Sequence, residues 1–570
     1  MNIETRNKIL NYIDLFILFI QLDLFIWILF ELGYPFRPLI YRVTIGVILI
    51  LLFEVIIEAS FSTRLTVYLR NNWYKLFFVF IGLYFYWKFV GYPQSGKYIS
   101  ILSKLFLGGL ELLLFIKFIL QLQRIKEIIG TFRVSPAQLI IVSFATIILI
   151  GSFLLYLPYS RPRGSSMRYI DALFTSVSAV CVTGLVVVDT GAAFSAGGKV
   201  LLLMLIQAGG IGIMTIAAFI QLSLGSQMSL FGRFSTASVL GQTTLKDLYE
   251  VIKAIVKITF IIEGFGSILL FMVFMEKWGM GIKALFYGVF HSISAFCNAG
   301  FSLFSDSFTG WVGIAKMNFL LIMLIILGGL GFTVILNLWR RLLRGRTERI
   351  TVQTKIVLIM STILIIVGGI EFFIFESDNV LKSLKPGEKF LASLFQSVTA
   401  RTAGFNTVDI SALRPITLFA LSILMFIGAS PGSTGGGIKT TTFFILILSI
   451  VTILRDRRFN TVFNRRIPFQ VVNRAFAILV SALGIVVLAT LLLGVFENFS
   501  FPQLYFEVVS AFGTVGLSTG ITPYLTDAGK IIIMLLMFIG RLGPLTIVLA
   551  VGAQPTTRLV TYPEEQVMVG

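Results

Sequence analysis

Apolar stretches of about 20 residues recur from one end of this chain to the other, Leu139–Leu157 and Met317–Leu336 among them. As a helix, each is long enough to cross the ~30 Å hydrocarbon core of a bilayer. Backbone polar groups have no water to bond there, so the spanning segments must satisfy them internally. Hydrophobic residues make up 57% of the 570 and charged residues 13%, against ~25% charged in soluble domains. The expected fold class is therefore an all-α polytopic membrane protein. The start, MNIETRNK, runs into a long span with no small-residue cleavage site, so a cleavable signal peptide is not expected.

The formal charge of +19 could suggest nucleic acid, but its placement argues against that partner. The basic residues cluster between spans, as RRLLRGRTER at Arg340–Arg349 and RDRR at Arg455–Arg458, continuing to Arg465 and Arg466. That is the bias of cytoplasmic loops. It puts 124–133, 225–253, 339–355, 455–474 and the C-terminus on the cytoplasmic side, with the N-terminus, while Arg161, Arg163 and Arg168 fall outside as exceptions. Two cysteines, Cys181 and Cys297, and one histidine, His291, offer neither a disulfide framework nor a metal cluster.

The spans number roughly twelve by the length criterion. Four precede residue 130: Asn11–Leu32, Pro38–Ser60, Trp73–Tyr92 and Tyr98–Leu122. The rest divides into four blocks, 131–245, 246–349, 350–466 and 467–570, each reading as outer span, short half-span, glycine-containing loop and inner span. Half-spans begin near Asp171, Ala284, Phe390 and Pro502. At ~10–12 residues they are too short to cross and must re-enter. The glycines that end them, Gly184, Gly300, Gly404 and Gly516, recur at intervals of 116, 104 and 112 residues, the mark of four copies of one unit. Irregular backbone at membrane depth is tolerated only where protein covers it or it lines a wet path. Four such loops imply four-fold pseudosymmetry about one aqueous axis.

The loops read SAVCVTGL (Ser178–Leu185), SAFCNAGF (Ser294–Phe301), VTARTAGF (Val398–Phe405) and VSAFGTVGL (Val509–Leu517). Each has a small or hydroxyl residue early and a glycine at the corresponding place. A cation stripped of water needs a ring of carbonyl oxygens. Carbonyls aim inward only where some residues reach unusual dihedrals, which glycine allows. The half-helices would also turn their negative C-terminal ends toward the ion. The candidate filter is thus Val182, Thr183 and Gly184, with Asn298, Ala299 and Gly300, Thr402, Ala403 and Gly404, and Thr514, Val515 and Gly516, the cation lying at their carbonyls. Cys181 and Cys297 sit just ahead of two filter glycines, where small size is sufficient reason for them.

Inner spans also correspond: QAGGIGIMT (Gln207–Thr215), LGGLGFTV (Leu327–Val334), GASPGSTGGGIKTT (Gly428–Thr441) and GRLGPLTI (Gly540–Ile547). The third is exceptional, because Ser430, Pro431, Gly432, Ser433, Thr434, Gly435, Gly436 and Gly437 cannot continue a stable helix. The span is expected to break there, below the filter. Arg541 lies inside the fourth inner span, where a charge is costly and faces a cavity or a partner; it is expected to hold the 430–437 loop or to set an electrostatic barrier. Lys439, at the end of the loop, is expected to reach the cytoplasmic mouth or only to solvate there. Glu263 and Glu371, in outer spans, can bond neighbouring helices or hold a coupling cation. Arg401 is expected to cap a helix or form a salt bridge, and His291 to be structural. Gly428-Ala-Ser430-Pro-Gly432 fits a nucleophile elbow, and Gly432–Lys439 approximates a phosphate loop, but neither has the required flanking elements, and no nucleophile–base or metal cluster is found. An enzyme is not expected. An alternating-access carrier would show inverted repeats, whereas these run in one orientation.

From about Ser135 to Gly570 the chain resembles the Trk/Ktr/HKT superfamily of K⁺ transporters, on the motifs VTGL, CNAGF, RTAGFNT and GTVGLSTG. The resemblance implies four fused channel-like repeats and the 430–437 loop as an intramembrane gate with an arginine, here Arg541, at its motif. It implies K⁺ as the ion, because Gly184 stands where Na⁺-favouring members carry serine; a Na⁺-selective channel of the same build is the alternative. The tail TYPEEQVMVG (Thr561–Gly570) is similar to that of Ktr-type subunits. This implies a homodimer in the bacterial plasma membrane on a cytosolic ring of nucleotide-binding regulatory subunits, with Na⁺ as a coupling or activating ion and no cofactor in this chain. The basic loops 340–349 and 455–466 could contact such a ring. The first ~130 residues faintly resemble a four-helix voltage sensor. Their fourth span offers only Lys104, Lys117 and Arg124 around Glu111, so a non-sensing version, or a packing or assembly module, is expected.

Overall fold

The computed structural model describes residues 136–212, 245–345 and 349–544. The four spans expected before residue 130, the first inner span beyond Gly212 and the TYPEEQVMVG tail lie outside them. Contacts divide the chain into two units, residues 135–156 with 164–570, and residues 1–134 with 157–163. The second is described only at Leu157–Arg163, which carries one 3-10 turn, Pro158–Ser160.

In the larger unit the chain forms α1 (Pro136–Tyr156), α2 (Tyr169–Val180), α3 (Ala196–Ile211), α4 (Leu245–Trp278), α5 (Ile282–Phe296), α6 (Ala315–Leu330), α7 (Phe332–Arg344), α8 (Val352–Glu376) and α9 (Pro386–Thr399). It continues as α10 (Pro415–Phe426), α11 (Thr440–Leu454), a two-residue hairpin of β1 (Thr461–Val462) and β2 (Arg465–Arg466), α12 (Phe469–Phe496), α13 (Phe501–Gly513) and α14 (Asp527–Leu542). Strand content stops at that hairpin among the described residues, where Thr461 pairs with Arg466.

Among the described residues, the order long helix, short helix, loop, helix recurs four times. The long members are α1, α4, α8 and α12. Among the described residues, three helices hold stretches long and apolar enough to cross a membrane, Lys253–Trp278, Val352–Glu376 and Phe469–Phe496. Their outer faces carry bare apolar side chains, such as Phe265 and Leu491, 63% and 66% exposed. The short members α2, α5, α9 and α13 have 12, 15, 14 and 13 residues. They begin a few residues before the expected positions and, at ~1.5 Å per residue, fall short of the bilayer. These polar-flanked segments are the most buried: Phe174, Phe290, Phe395 and Phe506 are all fully enclosed. In a membrane the short helix is the interior and the long helix the apolar surface.

Local chemistry starts the helices. Thr351 caps α8 by accepting from the Thr354 amide at 3.2 Å, and Ser195 caps α3 from Gly198 at 3.1 Å. Ser500 and Gln503 form a capping box on α13, which leaves fewer orphan amides at that helix start. Each inner helix packs on the short helix of the following block: α3 on α5, α6 on α9 and α10 on α13. The last, α14, packs on α2, the first short helix. The ring therefore closes. Lys530 of α14 and Asp171 of α2 form a buried ion pair of 2.7 Å across that closing seam.

The third inner segment was expected to be the exceptional one, but all four inner helices stop at a corresponding place. Helices α3, α6 and α14 end at Gly212, Gly331 and Gly543, whose φ values of 84°, 91° and 84° take the chain out of helical geometry. After Gly331 the helix resumes as α7, bent by 101°. After α10 the break is longer, from Ile427 to Lys439. The glycine of LGGLGFTV is therefore a hinge residue, which the sequence reading had treated as part of a continuous span.

Candidate functional site

Each short helix ends in a loop held by a hydroxyl from its own last turn. Ser178 Oγ accepts from the Gly184 amide at 3.1 Å, and Ser510 Oγ accepts from Gly516 at 3.2 Å. Ser294 Oγ donates to the Phe301 carbonyl at 2.8 Å, and Thr399 Oγ1 donates to Phe405 at 2.6 Å. This is the physical reason for a hydroxyl early in every motif. The third loop is one residue tighter, so the Ala403 amide bonds back to Thr399 where Thr183 bonds back to Ser178.

The loop backbones alternate in handedness. Val182, Asn298, Thr402 and Thr514 have φ of 55°, 57°, 75° and 50°, and Gly184, Gly300, Gly404 and Gly516 have 90°, 69°, 80° and 93°. The residue between them, Thr183, Ala299, Ala403 or Val515, keeps negative φ. Alternation of this kind turns successive carbonyls to one side of the strand, the arrangement a dehydrated cation requires. Left-handed φ is unusual for a non-glycine residue, and finding it at the same place in four loops indicates a shared constraint.

The four glycines meet. A β-carbon at Gly184 would overlap the Ala299 carbonyl oxygen and come within 2.9 Å of the Gly300 α-carbon. One at Gly300 would lie 2.9 Å from the Ala403 oxygen, one at Gly404 would strike the Val515 oxygen, and one at Gly516 would strike the Thr183 oxygen. The order 184, 300, 404, 516 and back to 184 is a closed ring of backbone. On one side of it opens a cavity of about 200 Å³, lined by the four glycines with Asp189 and Asp306 at its rim.

The broken inner segment closes the other side. Gly435 lies against the Thr402 side chain, and Gly436 against that of Thr514, whose Oγ1 accepts from the Gly436 amide at 2.9 Å. Ser430 and Thr434 donate their amides to Gly329 and Gly328 at 3.1 and 3.4 Å. Pro431 is seated against Gly331, and Gly432 accepts from the Phe332 amide at 2.9 Å. Within the loop, Ser433 Oγ accepts from the Gly435 amide at 3.3 Å, and Gly437 folds back to bring its β position 3.1 Å from the Gly428 α-carbon. Arg541 on α14 reaches the loop, donating to the Thr434 carbonyl with one terminal nitrogen and to Gly209 with the other.

Two expectations need correction. Lys439 does not extend away from the loop; its Nζ turns back to the carbonyls of Gly435 and Gly436 at 2.6 and 3.3 Å. The break between α10 and α11 leaves carbonyls in need of a donor, and this ammonium has three N–H donors to offer. Arg401 neither caps a helix nor forms a salt bridge; it donates to the Ser361 carbonyl and hydroxyl at 3.4 and 3.2 Å. Glu263 joins helices, accepting from Gln207 Nε2 at 3.1 and 3.0 Å, while Glu371 is half-buried. His291 accepts the Leu303 amide at 3.2 Å and stacks on Phe304. Gly210 packs on Cys297, where a larger residue would not fit.

The sequence reading missed a set of buried carboxylates that hold the segments following the ring of glycines. Glu507 accepts from the Thr519 amide and from Thr522 Oγ1, both at 3.0 Å. Glu376 accepts from the Arg414 amide at 2.9 Å, and Glu497 from the Thr526 amide at 2.8 Å. Each anchors the return segment at or near the start of an inner helix. An acidic residue in or beside an apolar segment, followed downstream by Ser or Thr, was the available signal.

Comparison with known proteins agrees with this architecture. The family described as TrkH, cation transport protein, matches residues 115–562. The chain is 41% identical over 435 residues to "Ktr system potassium uptake protein B" of Vibrio alginolyticus, covering 76% of this chain and 94% of that protein. It is 37% identical over 451 residues to "Potassium/sodium uptake protein NtpJ" of Enterococcus hirae, covering 77% and 98%. Among solved structures, the potassium transporter TrkH from Vibrio parahaemolyticus aligns with a TM-score of 0.59 at 19% identity, over 72% of this chain and 83% of that one, a likeness of fold.

Proposed function

This chain belongs to the TrkH family of cation transport proteins, and from that premise we propose that it is the ion-conducting membrane subunit of a Trk/Ktr-type potassium uptake system. The observation that carries the reading is the closed ring of Gly184, Gly300, Gly404 and Gly516, each packed without a β-carbon on the next loop's backbone. Potassium sheds its water on entering from the cavity at Asp189 and Asp306 and is coordinated by carbonyls of the triplets ending in those glycines. No bond is made or broken; the protein supplies a path and a gate.

The gate is the 430–437 loop. Its contacts with Thr402 and Thr514 put it directly against the residues that begin two filter triplets, so the ion passes only when the loop moves. Arg541 holds the loop at Thr434, and Lys439 braces it from within. A homodimer in the bacterial plasma membrane, a cytosolic ring of nucleotide-binding regulatory subunits, an N-terminus on the cytoplasmic side and Na⁺ as a coupling or activating ion complete the reading. Na⁺ is supported by the name of the Enterococcus hirae relative and the cytoplasmic N-terminus by the placement of the basic segments 340–349 and 455–466, while the dimer and the ring rest on the resemblance to Ktr-type subunits.

The test is growth rescue and Rb⁺ uptake in a bacterium lacking its own K⁺ uptake, with wild type compared to Gly404→Ser at matched expression. Rescue by wild type that the variant loses, or converts to a Na⁺ leak, is the expected result. Absence of K⁺-dependent uptake by wild type, even with candidate regulatory subunits co-expressed, would overturn it.

A further inference from the structure

The apolar stripe of helix α7 runs on past the protein that covers it. Phe332 and Leu336 are buried, whereas Trp339, Leu342 and Leu343, at the same helical spacing, are 50%, 76% and 69% exposed. Beside this bare half stand Arg340, exposed, and Arg341, half-buried. Five arginines and one glutamate fall within Arg340–Arg349. An apolar face ending in tryptophan, next to a cluster of arginines, is the chemistry of a helix lying in a membrane interface.

Geometry gives the depth. Helix α6 has 16 residues and so spans about 24 Å at 1.5 Å per residue, a little less than the hydrocarbon core. The chain then turns by 101°. With α6 along the bilayer normal, α7 runs nearly parallel to the bilayer plane at the edge where the basic residues cluster, where amphipathic helices embed. Its origin is also the hinge against the loop: the Phe332 amide donates to Gly432 at 2.9 Å, and Gly331 lies against the Pro431 carbonyl. Asn337 fixes the helix to the next span, accepting from the Thr351 amide at 3.1 Å and donating to the Arg349 carbonyl at 3.2 Å.

We propose that the exposed half of α7, with Trp339, Leu342 and Leu343 among acyl chains and Arg340 and Arg341 at headgroups, is a binding surface for anionic phospholipid, and that lipid held there keeps the 430–437 loop in its obstructing position. The occupant is a lipid surface because the patch couples apolar exposure with one sign of charge and continues a helix already at that depth. The gating half rests on the transport reading above. In the arrangement described, α7 lies in plane and its first amide holds the loop, so lipids that favour the in-plane helix favour the closed pore.

The experiment uses the full chain in vesicles of phosphatidylcholine alone or with one-quarter phosphatidylglycerol, with no cytosolic subunit present. Trp339 contact is read as quenching by brominated lipid lost in Trp339→Phe, and transport as Rb⁺ flux. An anionic surface by itself concentrates cations and raises flux, so a fall carries a sign that only the helix supplies. We expect bromine on the anionic lipid to quench Trp339, and Rb⁺ flux about threefold lower in the anionic vesicles. Both differences should vanish in an Arg340→Gln, Arg341→Gln double variant that still elutes as wild type. Trp339 left unquenched, as it would be if a second copy or a regulatory subunit owned this face, overturns the proposal, as does a double variant that keeps the wild-type lipid dependence. A chain that moves no Rb⁺ in any vesicle and also fails to support K⁺-dependent uptake with regulatory subunits co-expressed overturns the transport reading and the gating half with it, while the Trp339 signal still decides lipid contact.

Discussion

Arg541 donates to the carbonyl of Thr434, a residue 107 positions earlier, while its second terminal nitrogen donates to Gly209 of the first inner helix. One guanidinium thus ties together the fourth block, the loop of the third and the break of the first. A rigid fork with donors in fixed directions is suited to this. Lysine, a point charge, could not hold two carbonyls on different elements in the same way.

Removing that fork should release the loop. A hydrogen bond to a charged group contributes ~1.5–3 kcal/mol, so Arg541→Ala should raise basal Rb⁺ flux by about tenfold or more. Arg541→Lys should recover part of the restraint. Unchanged flux in Arg541→Ala vesicles would remove Arg541 from the gate.

Thr514 has two duties in the proposed pore, because its backbone begins the fourth triplet of the glycine ring and its Oγ1 accepts the Gly436 amide. Thr514→Val keeps the shape and removes the acceptor, leaving the Gly436 amide without its partner. It should raise flux without regulatory subunits severalfold and lower K⁺ over Na⁺ selectivity; Thr514→Ser should change neither. Ion competition of Rb⁺ uptake by Na⁺ separates the two effects. A Thr514→Val protein indistinguishable from wild type would mean that the loop does not rest on this hydroxyl.

The ring of glycines should admit no β-carbon. At Gly516 the φ is 93°, which costs an L-residue ~1–2 kcal/mol, and the added atom would also overlap the Thr183 carbonyl oxygen. Gly516→Ala should fall by at least tenfold in Rb⁺ uptake while still reaching the membrane. Gly264, whose β position meets nothing within 4 Å, should accept alanine with full uptake, which makes it the control.

The Lys530–Asp171 pair closes the seam between the last inner helix and the first short helix. Both side chains are withdrawn from solvent, 4% and 13% exposed. Removing one partner of a buried pair costs up to ~3–5 kcal/mol, reduced here because Asp171 keeps Arg168 at 3.3 Å, so Lys530→Met should lower the unfolding temperature in detergent by a few degrees. Lys530→Met with Asp171→Asn should recover part of the loss, because no carboxylate is left facing the seam without its ammonium. A single variant as stable as the double would show that the pair is not coupled.

Much of this arrangement could be read from the chain before its coordinates were known, for identifiable reasons. Apolar length gave the helical membrane class. Glycine at Gly184, Gly300, Gly404 and Gly516, after segments too short to cross, pointed to the loops, because only re-entrant backbone needs that punctuation. Proline and glycine at 431–437 marked the longest break. The hinge at Gly331 was not legible, since a single glycine in an apolar run is compatible with a continuous helix until its φ is known. Lys439 was misread because sequence gives the place of a charge along the chain but not the direction its side chain takes. Arg401 was misread similarly: its partner is a neutral serine 40 residues away, and long-range pairing with an uncharged residue leaves no local pattern. Glu376, Glu497 and Glu507 were overlooked because each bonds a backbone amide, and amides are not a sequence feature.

The closed ring also sets when a conducting path can first exist. Gly516 rests on Thr183 and Gly184, so the first and last of the four blocks must meet before the four loops surround anything. A nascent chain that has inserted three blocks has three loops and an open side. Segments this far apart in sequence come together late in folding. A copy lacking the fourth block has no wall on one flank of the path, and it is the fourth block that completes the enclosure.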